Sequence, residues 1–277
     1  MVRIIAKAQQ GSGAFNGGEI VENKPIGFPQ DHSSIRPYSN LFYWAHAKAV
    51  VDSTIGLHPH QGFEICSFVL RGEIRHYDTK LREWRPLQAG DVQIIRAGNG
   101  ISHSEWIGKD GEIFQIWFDP NLEKTLSQPA SYDDYRAADF PETTVGDTRV
   151  STLAGAGSPF RMETPGVEVR RIRLGKDQYT LSSNPGRISS VYVIEGEVNI
   201  GQERAVESDF VLISDEGSVS LQSENGADVF VIESPIQPGY RTYGQIMAMR
   251  HWRFKEVKMM FWLTGIDDRR GFLAKAA

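Results

Sequence analysis

Two same-parity pairs constrain this chain more than any other feature: His58 with His60, and His103 with Glu105. On an extended strand, side chains two residues apart share a face. Each pair can therefore aim two donor groups at one point, and two neighbouring strands can deliver four. The stretch between the pairs is paced for hairpins. Ile65 to Leu70 is a β-rich apolar run closed by Arg71-Gly72-Glu73, and Ile74 to Tyr77 alternates before the polar Asp78-Thr79-Lys80. Ala89-Gly90-Asp91 precedes another short strand, Val92 to Ile95. Ala97-Gly98-Asn99-Gly100 then supplies residues that tolerate positive φ, just ahead of His103. A ligand strand, hairpins, a glycine-rich turn and a second ligand strand form the order that a small antiparallel barrel with an internal site requires.

Three imidazoles and one carboxylate suit a divalent first-row metal. Such a set leaves one or two positions open in five- or six-coordinate geometry. A closed structural zinc site draws mainly on thiolates, and this chain has one cysteine, Cys66. Iron(II) is the first choice of cofactor; manganese, nickel, copper, cobalt or zinc would be accepted by the same ligands. The competing reading, four polar groups satisfied separately on strands, leaves the two same-face pairs as coincidence.

Gly56-Leu57-His58-Pro59-His60 with Glu64 and Gly72, followed by Gly90-Asp91-Val92 and Gly98-Asn99-Gly100-Ile101-Ser102-His103-Ser104-Glu105, resembles the two signature motifs of the cupins. More narrowly the sequence resembles the pirin family, including the pirin-like quercetin 2,3-dioxygenases, strongly over about residues 25 to 135 and weakly to about 245. The resemblance implies an all-β bicupin, two antiparallel β-barrel (double-stranded β-helix, or jelly-roll) domains. It implies metal ligands His58, His60, His103 and Glu105, and cleavage of a flavonol such as quercetin with O₂ by a quercetinase. Glu105 or Glu64 would be the catalytic base. Many cupins use a glutamate at the Glu64 spacing as a ligand, whereas pirins use the Glu of the His-Ser-Glu run; Glu64 is therefore expected beside the metal or in substrate proton transfer. The same residues are compatible with a non-catalytic, metal- and redox-dependent regulator that binds a transcription factor or enzyme as its protein partner. A metal-dependent isomerase or hydrolase is a third reading, because fold does not fix function.

The second half echoes the first. Val191-Tyr192-Val193-Ile194-Glu195-Gly196-Glu197-Val198 repeats the pattern of Ser67 to Ile74, and Ser208 to Ile213 that of Gly90 to Ile95. By offset, the four ligand positions become Ser182, Asn184, Leu221 and Ser223, so the second copy is expected to be metal-free. Residues 1–145 are thus read as a metal-binding cupin domain, 146–245 as a cupin domain without ligands, and 246–277 as a divergent tail. The polar, proline-containing stretch from 120 to 147 is the candidate connection. Residues 8 to 40, rich in Gly, Pro, Ser and Asn, read as an extended arm. The tail carries the basic, aromatic Arg250-His251-Trp252-Arg253-Phe254-Lys255, read as solvated or packing on an oligomer partner rather than on nucleic acid.

A net charge of −5 argues against a self-sufficient nucleic-acid binder. No apolar run approaches the ~20 residues that span a bilayer, and Met1-Val2-Arg3-Ile4-Ile5-Ala6-Lys7 has no signal-peptide pattern. The cytoplasm is the expected compartment, which a lone cysteine fits. His32, His46, His76 and His251 lack paired partners and read as structural or exposed. Cys66 reads as a small buried thiol. Phe63, Trp106 and Trp117 read as core residues, with a substrate-pocket lining as the alternative.

Overall fold

A strand reads as an unbroken apolar run when both its faces are covered, and Glu64–Arg71 is such a strand, buried from Glu64 through Leu70. In the computed structural model, which describes residues 1–214 and 216–250, it lies inside a seven-stranded antiparallel sheet. That sheet runs Ser131–Tyr135, Val92–Arg96, Glu64–Arg71, Glu112–Phe118, Leu41–Ala49, Ile20–Ile26, Gly11–Phe15. Its inner face, with Ile65 and Val69, looks towards a four-stranded sheet ordered Ser53–His60, Ile101–Ile107, Glu73–Asp78, Trp84–Gln88. Ile55, Ile74, Leu87 and Ile107 of the small sheet pack with Val69, Ala47 and Ile113 of the large one. These two sheets form the barrel-like first half.

The outer face, with Cys66 and Phe68, packs on the second half. There a ten-stranded sheet is built around the long Arg187–Ile200 strand and its neighbours Phe210–Ser214 and Ala227–Pro235. Trp44, Phe68, Phe114, Tyr192, Phe210 and Phe230 interlock between the halves; Phe230 meets Phe68 and Phe114 at 5.0 Å each, ring centre to ring centre. The fold is therefore all-β, two antiparallel β-units stacked face to face, as the internal echo implied. The interior of the second unit is aliphatic: Val193, Val198, Ile200, Val211, Leu221 and Val229 form one cluster. Leu221, the offset counterpart of His103, is fully buried in it.

The ends of the chain cross over. Val2–Ile5 pairs with Phe210–Ser214 in the second unit's sheet, Val2 opposite Ile213 and Ile5 opposite Phe210. The segment read as an extended arm instead supplies Gly11–Phe15 and Ile20–Ile26 to the edge of the seven-stranded sheet. Part of its loop-like composition lies in the hairpin turn, where Asn16, Gly17 and Gly18 all take positive φ, and part in residues 27–40, which form no strand. Within the polar 120–147 stretch, Ser131–Tyr135 still pairs with Val92–Arg96, whereas Glu142–Val145 joins the second sheet. Near the other end, the helix Tyr243–Arg250 returns to the first unit, with Tyr243 set against Phe42 and Phe63. His251 to Lys255, and the tail as far as Ala277, lie outside the described residues. Among the described residues no helix is long and apolar enough to cross a membrane.

Asp119 anchors that returning helix: its Oδ2 accepts the Gly244 N–H at 3.1 Å, and Tyr240 donates its hydroxyl to the Asp119 carbonyl at 2.6 Å. Burial pushes the carboxyl up from 3.8 to about 6, against the backbone N–H groups of Tyr243 and Gly244, which pull it down. A carboxyl whose folded-state pKa is raised lends stability that is complete below the unfolded value and lost as pH rises through the folded one. Urea denaturation of the wild type should therefore show a loss on the order of 1–3 kcal/mol between about pH 4 and pH 6.5 from this group. Asp119→Asn should flatten that slope; an unchanged slope would assign it to other groups.

Candidate metal centre

The site begins with one strand pairing. Ser53–His60 lies antiparallel to Ile101–Ile107 with His58 directly opposite His103 and His60 opposite Ile101. The register then shifts, so that Glu105 faces Ile55, and two residues, Gly56 and Leu57, oppose the single Ser104. This is a β-bulge, pinned by the Ser104 hydroxyl on the Ile55 carbonyl at 2.6 Å. The bulge also places the Gly56 carbonyl 2.8 Å from His58 Nδ1. Nδ1–H donates to it, which leaves Nε2 of His58 bare for a metal.

The three imidazoles converge. Ring centroids are 4.8 Å apart for His58 and His60, 4.4 Å for His58 and His103, and 4.7 Å for His60 and His103. One nitrogen from each lies within 4.8 Å of the others. His103 is fully buried and His60 nearly so, while His58 is half-buried and opens the group to solvent beside the exposed Leu57. Burial, reinforced by His58, pushes the His60 pKa well below the usual imidazole range; burial and then His60, His58 and His76 do the same to His103. Both rings are therefore neutral at neutral pH, the state in which imidazole ligates. His60 Nε2 and His103 Nε2 face each other at 2.9 Å, and two neutral rings can place only one proton in that contact. A divalent cation among the three rings would satisfy every inward nitrogen, so the residues fit the group the sequence implied.

Glu105 shares the inward face of its strand with His103 and is fully buried. Its Oε1 accepts from Ser67 Oγ at 2.9 Å and its Oε2 from Gln115 Nε2, both on the facing sheet. It stands apart from the group of three histidines. Trp117 sets its ring nearly perpendicular to His60, 4.8 Å between centroids, and Phe63 packs against Trp117 at 5.9 Å. Trp106 lies under the Arg75 guanidinium at 4.6 Å and is a packing residue.

Glu64 is not brought to the histidines. The even count from His60 fails because Gly62, at φ 81°, turns the chain from one sheet into the other. Glu64 consequently shares its face with Cys66 and Phe68, towards the second unit. Its carboxylate accepts from the backbone N–H groups of Glu163 and Thr164 at 2.7 and 2.8 Å and from the Thr164 hydroxyl at 2.5 Å. Burial holds its carboxyl above the ordinary range, opposed by the Thr164 hydroxyl, these backbone donors and Arg96 at 3.8 Å. Cys66 is a buried thiol, as expected, with its pKa driven up by burial.

Several residues at the site went unread in the sequence. Ser67 and Gln115 carry no motif. His76, expected without a paired partner, is fully buried and bound to Asp78 at 2.8 Å. The signal was present: His76-Tyr77-Asp78 is a same-parity pair of the kind that revealed His58 and His60. His46 sits in a separate network with Tyr192 and Glu112, at 3.2 and 3.1 Å, and His32 is exposed.

Comparison with known proteins gives a consistent set of likenesses. The family model described as Pirin matches residues 29–118. A Pseudomonas aeruginosa protein provisionally named a quercetin 2,3-dioxygenase is 33% identical over 205 residues, covering 68% of this chain and 71% of its own. The Escherichia coli K12 protein named quercetin 2,3-dioxygenase is 29% identical over 184 residues, 65% of this chain and 76% of its own. Among solved structures, the bacterial pirin of E. coli in complex with nickel(II) superposes with a TM-score of 0.71 at 24% identity, over 85% of this chain and 99% of that one.

Glu64 can be separated from the histidine centre by experiment. Glu64→Ala strands the Glu163 and Thr164 N–H groups and the buried Thr164 hydroxyl, and should cost about 1–3 kcal/mol in urea denaturation while metal content after dialysis stays at the wild-type level. Loss of metal at unchanged stability would return Glu64 to the centre.

Proposed function

The chain belongs to the pirin family of cupins, and from that premise we propose that it is a metal-dependent dioxygenase acting on a flavonol-like aromatic substrate with O₂. The observation that carries this reading is the convergence of His58, His60 and His103 from two paired strands, with Glu105 on the same inward face. Those four side chains would hold one divalent ion, Glu105 by turning from Ser67 and Gln115 towards the rings. Iron(II) is the first choice; the E. coli pirin of similar fold, solved in complex with nickel(II), supports a divalent ion. When bound, the ion supplies Lewis acidity and, as iron, access to O₂.

The chain's own residues account for the rest. The open side of the site, at His58 and Leu57, is where an aromatic substrate would enter. Trp117, Phe63 and Phe42 form an apolar wall beside His60, which excludes water and favours flat rings. Glu105 is the base: on the inward face beside the rings, its carboxylate accepts the proton of the substrate hydroxyl.

The test loads the protein with iron(II) under anaerobic conditions, adds quercetin and admits air. Loss of the flavonol absorbance is expected, with carbon monoxide released. His103→Ala should lose metal retention and turnover together, whereas His32→Ala should keep both. No turnover with any first-row metal would remove the dioxygenase reading and leave a metal-binding regulator of the pirin type.

A further inference from the structure

On the other flank of the Ile101–Ile107 strand, away from His58 and His60, lies a buried polar group that the metal reading does not use. His76 and Asp78 come from Glu73–Asp78, Gln93 from the facing sheet, and all three are fully buried. His76 Nε2 is 2.8 Å from Asp78 Oδ2, and Gln93 Nε2 is 2.7 Å from His76 Nδ1. Asp78 Oδ1 accepts the backbone N–H groups of Lys80 and Leu81, both at 2.7 Å. The Tyr132 ring stacks on His76 at 4.4 Å and 11°, which fixes the imidazole plane.

Proton accounting orders these contacts. A carboxylate only accepts, so His76 Nε2 carries the proton directed at Asp78. Nδ1, set against the Gln93 amide nitrogen, then accepts from the Gln93 N–H. The amide is thereby oriented, and its Oε1 is left as a buried acceptor without a partner. His103 Nδ1 is likewise buried without a partner, and the His76 and His103 rings stand 5.7 Å apart. One orphan accepts, and the other donates whenever His103 turns its bare Nε2 towards the cluster.

We propose that Gln93 is the positioning residue of the metal centre: its Oε1 takes the Nδ1 proton of His103, on rotation of the amide, and Asp78 and His76 hold Gln93 beside it to do so. The inference rests on the histidines holding a cation. Donors and acceptors then alternate along one chain, from His103 Nδ1–H to Gln93, from Gln93 N–H to His76, and from His76 N–H to Asp78. His58 takes its tautomer from a backbone carbonyl at the bulge; His103, buried further in, takes its own from this row of side chains. In the metal-free protein the same order makes His60 the donor in the 2.9 Å contact with His103.

The experiment uses the full chain, zinc(II) as a diamagnetic probe, and two variants. Gln93→Met keeps the length and removes the acceptor; Gln93→Glu keeps the acceptor. Isothermal titration should show zinc binding weakened about 10- to 100-fold in Gln93→Met and by clearly less in Gln93→Glu. Long-range ¹H–¹⁵N imidazole spectra of the metal-free wild type should show His103 protonated on Nδ1 and His76 on Nε2. The proposal is overturned by wild-type zinc affinity in folded Gln93→Met, by His103 protonated on Nε2, or by doubly protonated His76, which would reverse the amide. If Gln93→Met does not fold, the wild-type spectra decide. The two readings also fail separately: wild-type protein that takes up no divalent metal sinks the metal centre and this role with it, whereas zinc uptake with the wrong tautomers sinks the role of Gln93 alone.

Discussion

The site depends on the register between Ser53–His60 and Ile101–Ile107. Facing positions in an antiparallel pair bring side chains within about 5 Å at the Cβ atoms, which is what three imidazoles need to share a point. The bulge at Gly56 and Leu57 does more than tolerate an extra residue. It supplies the carbonyl that sets the His58 tautomer and lets Glu105 keep the inward face although its partner count has slipped by one. A one-residue change in register would turn His103 and Glu105 to the outside together.

The legible part of the molecule was whatever obeyed a period of two within a single strand. His58, His60 and His103 were found that way, and Gly98 to Gly100 marked the turn that returns the chain to them. The echo at Val191 to Val198 marks the second all-β unit. What failed was counting across a turn: Glu64 follows His60 by four residues but lies beyond Gly62, on a strand of another sheet with its own inside and outside. His76 with Asp78 failed differently. The pattern was visible, but half of it is a carboxylate that also caps a turn, and a sequence does not say which of those jobs buries it. Ser67 and Gln115 are ordinary strand residues until the facing sheet shows what they touch.

The two units show how duplicated barrels diverge. The first lines its interior with imidazole, carboxylate, amide and hydroxyl groups, each of which must find a partner once removed from water. That demand explains why so many of its buried polar atoms are arranged in rows. The second fills the corresponding space with valine, isoleucine and leucine, which need only shape. It presents the sheet that carries Phe210 and Phe230 as a firm backing for the face of Glu64–Arg71 that the metal centre does not use.

The crossed ends of the chain carry a further consequence. Val2–Ile5 completes the second unit's sheet, and Tyr243 is packed on the first. Each half thus borrows a piece from the other's end of the polypeptide, like two hands clasped at the wrists. Neither half is a portable module: a break near residue 146 would leave Phe210–Ser214 as a bare sheet border, open to pairing with foreign strands. Recombination could exchange such units between relatives only by moving the whole clasp at once.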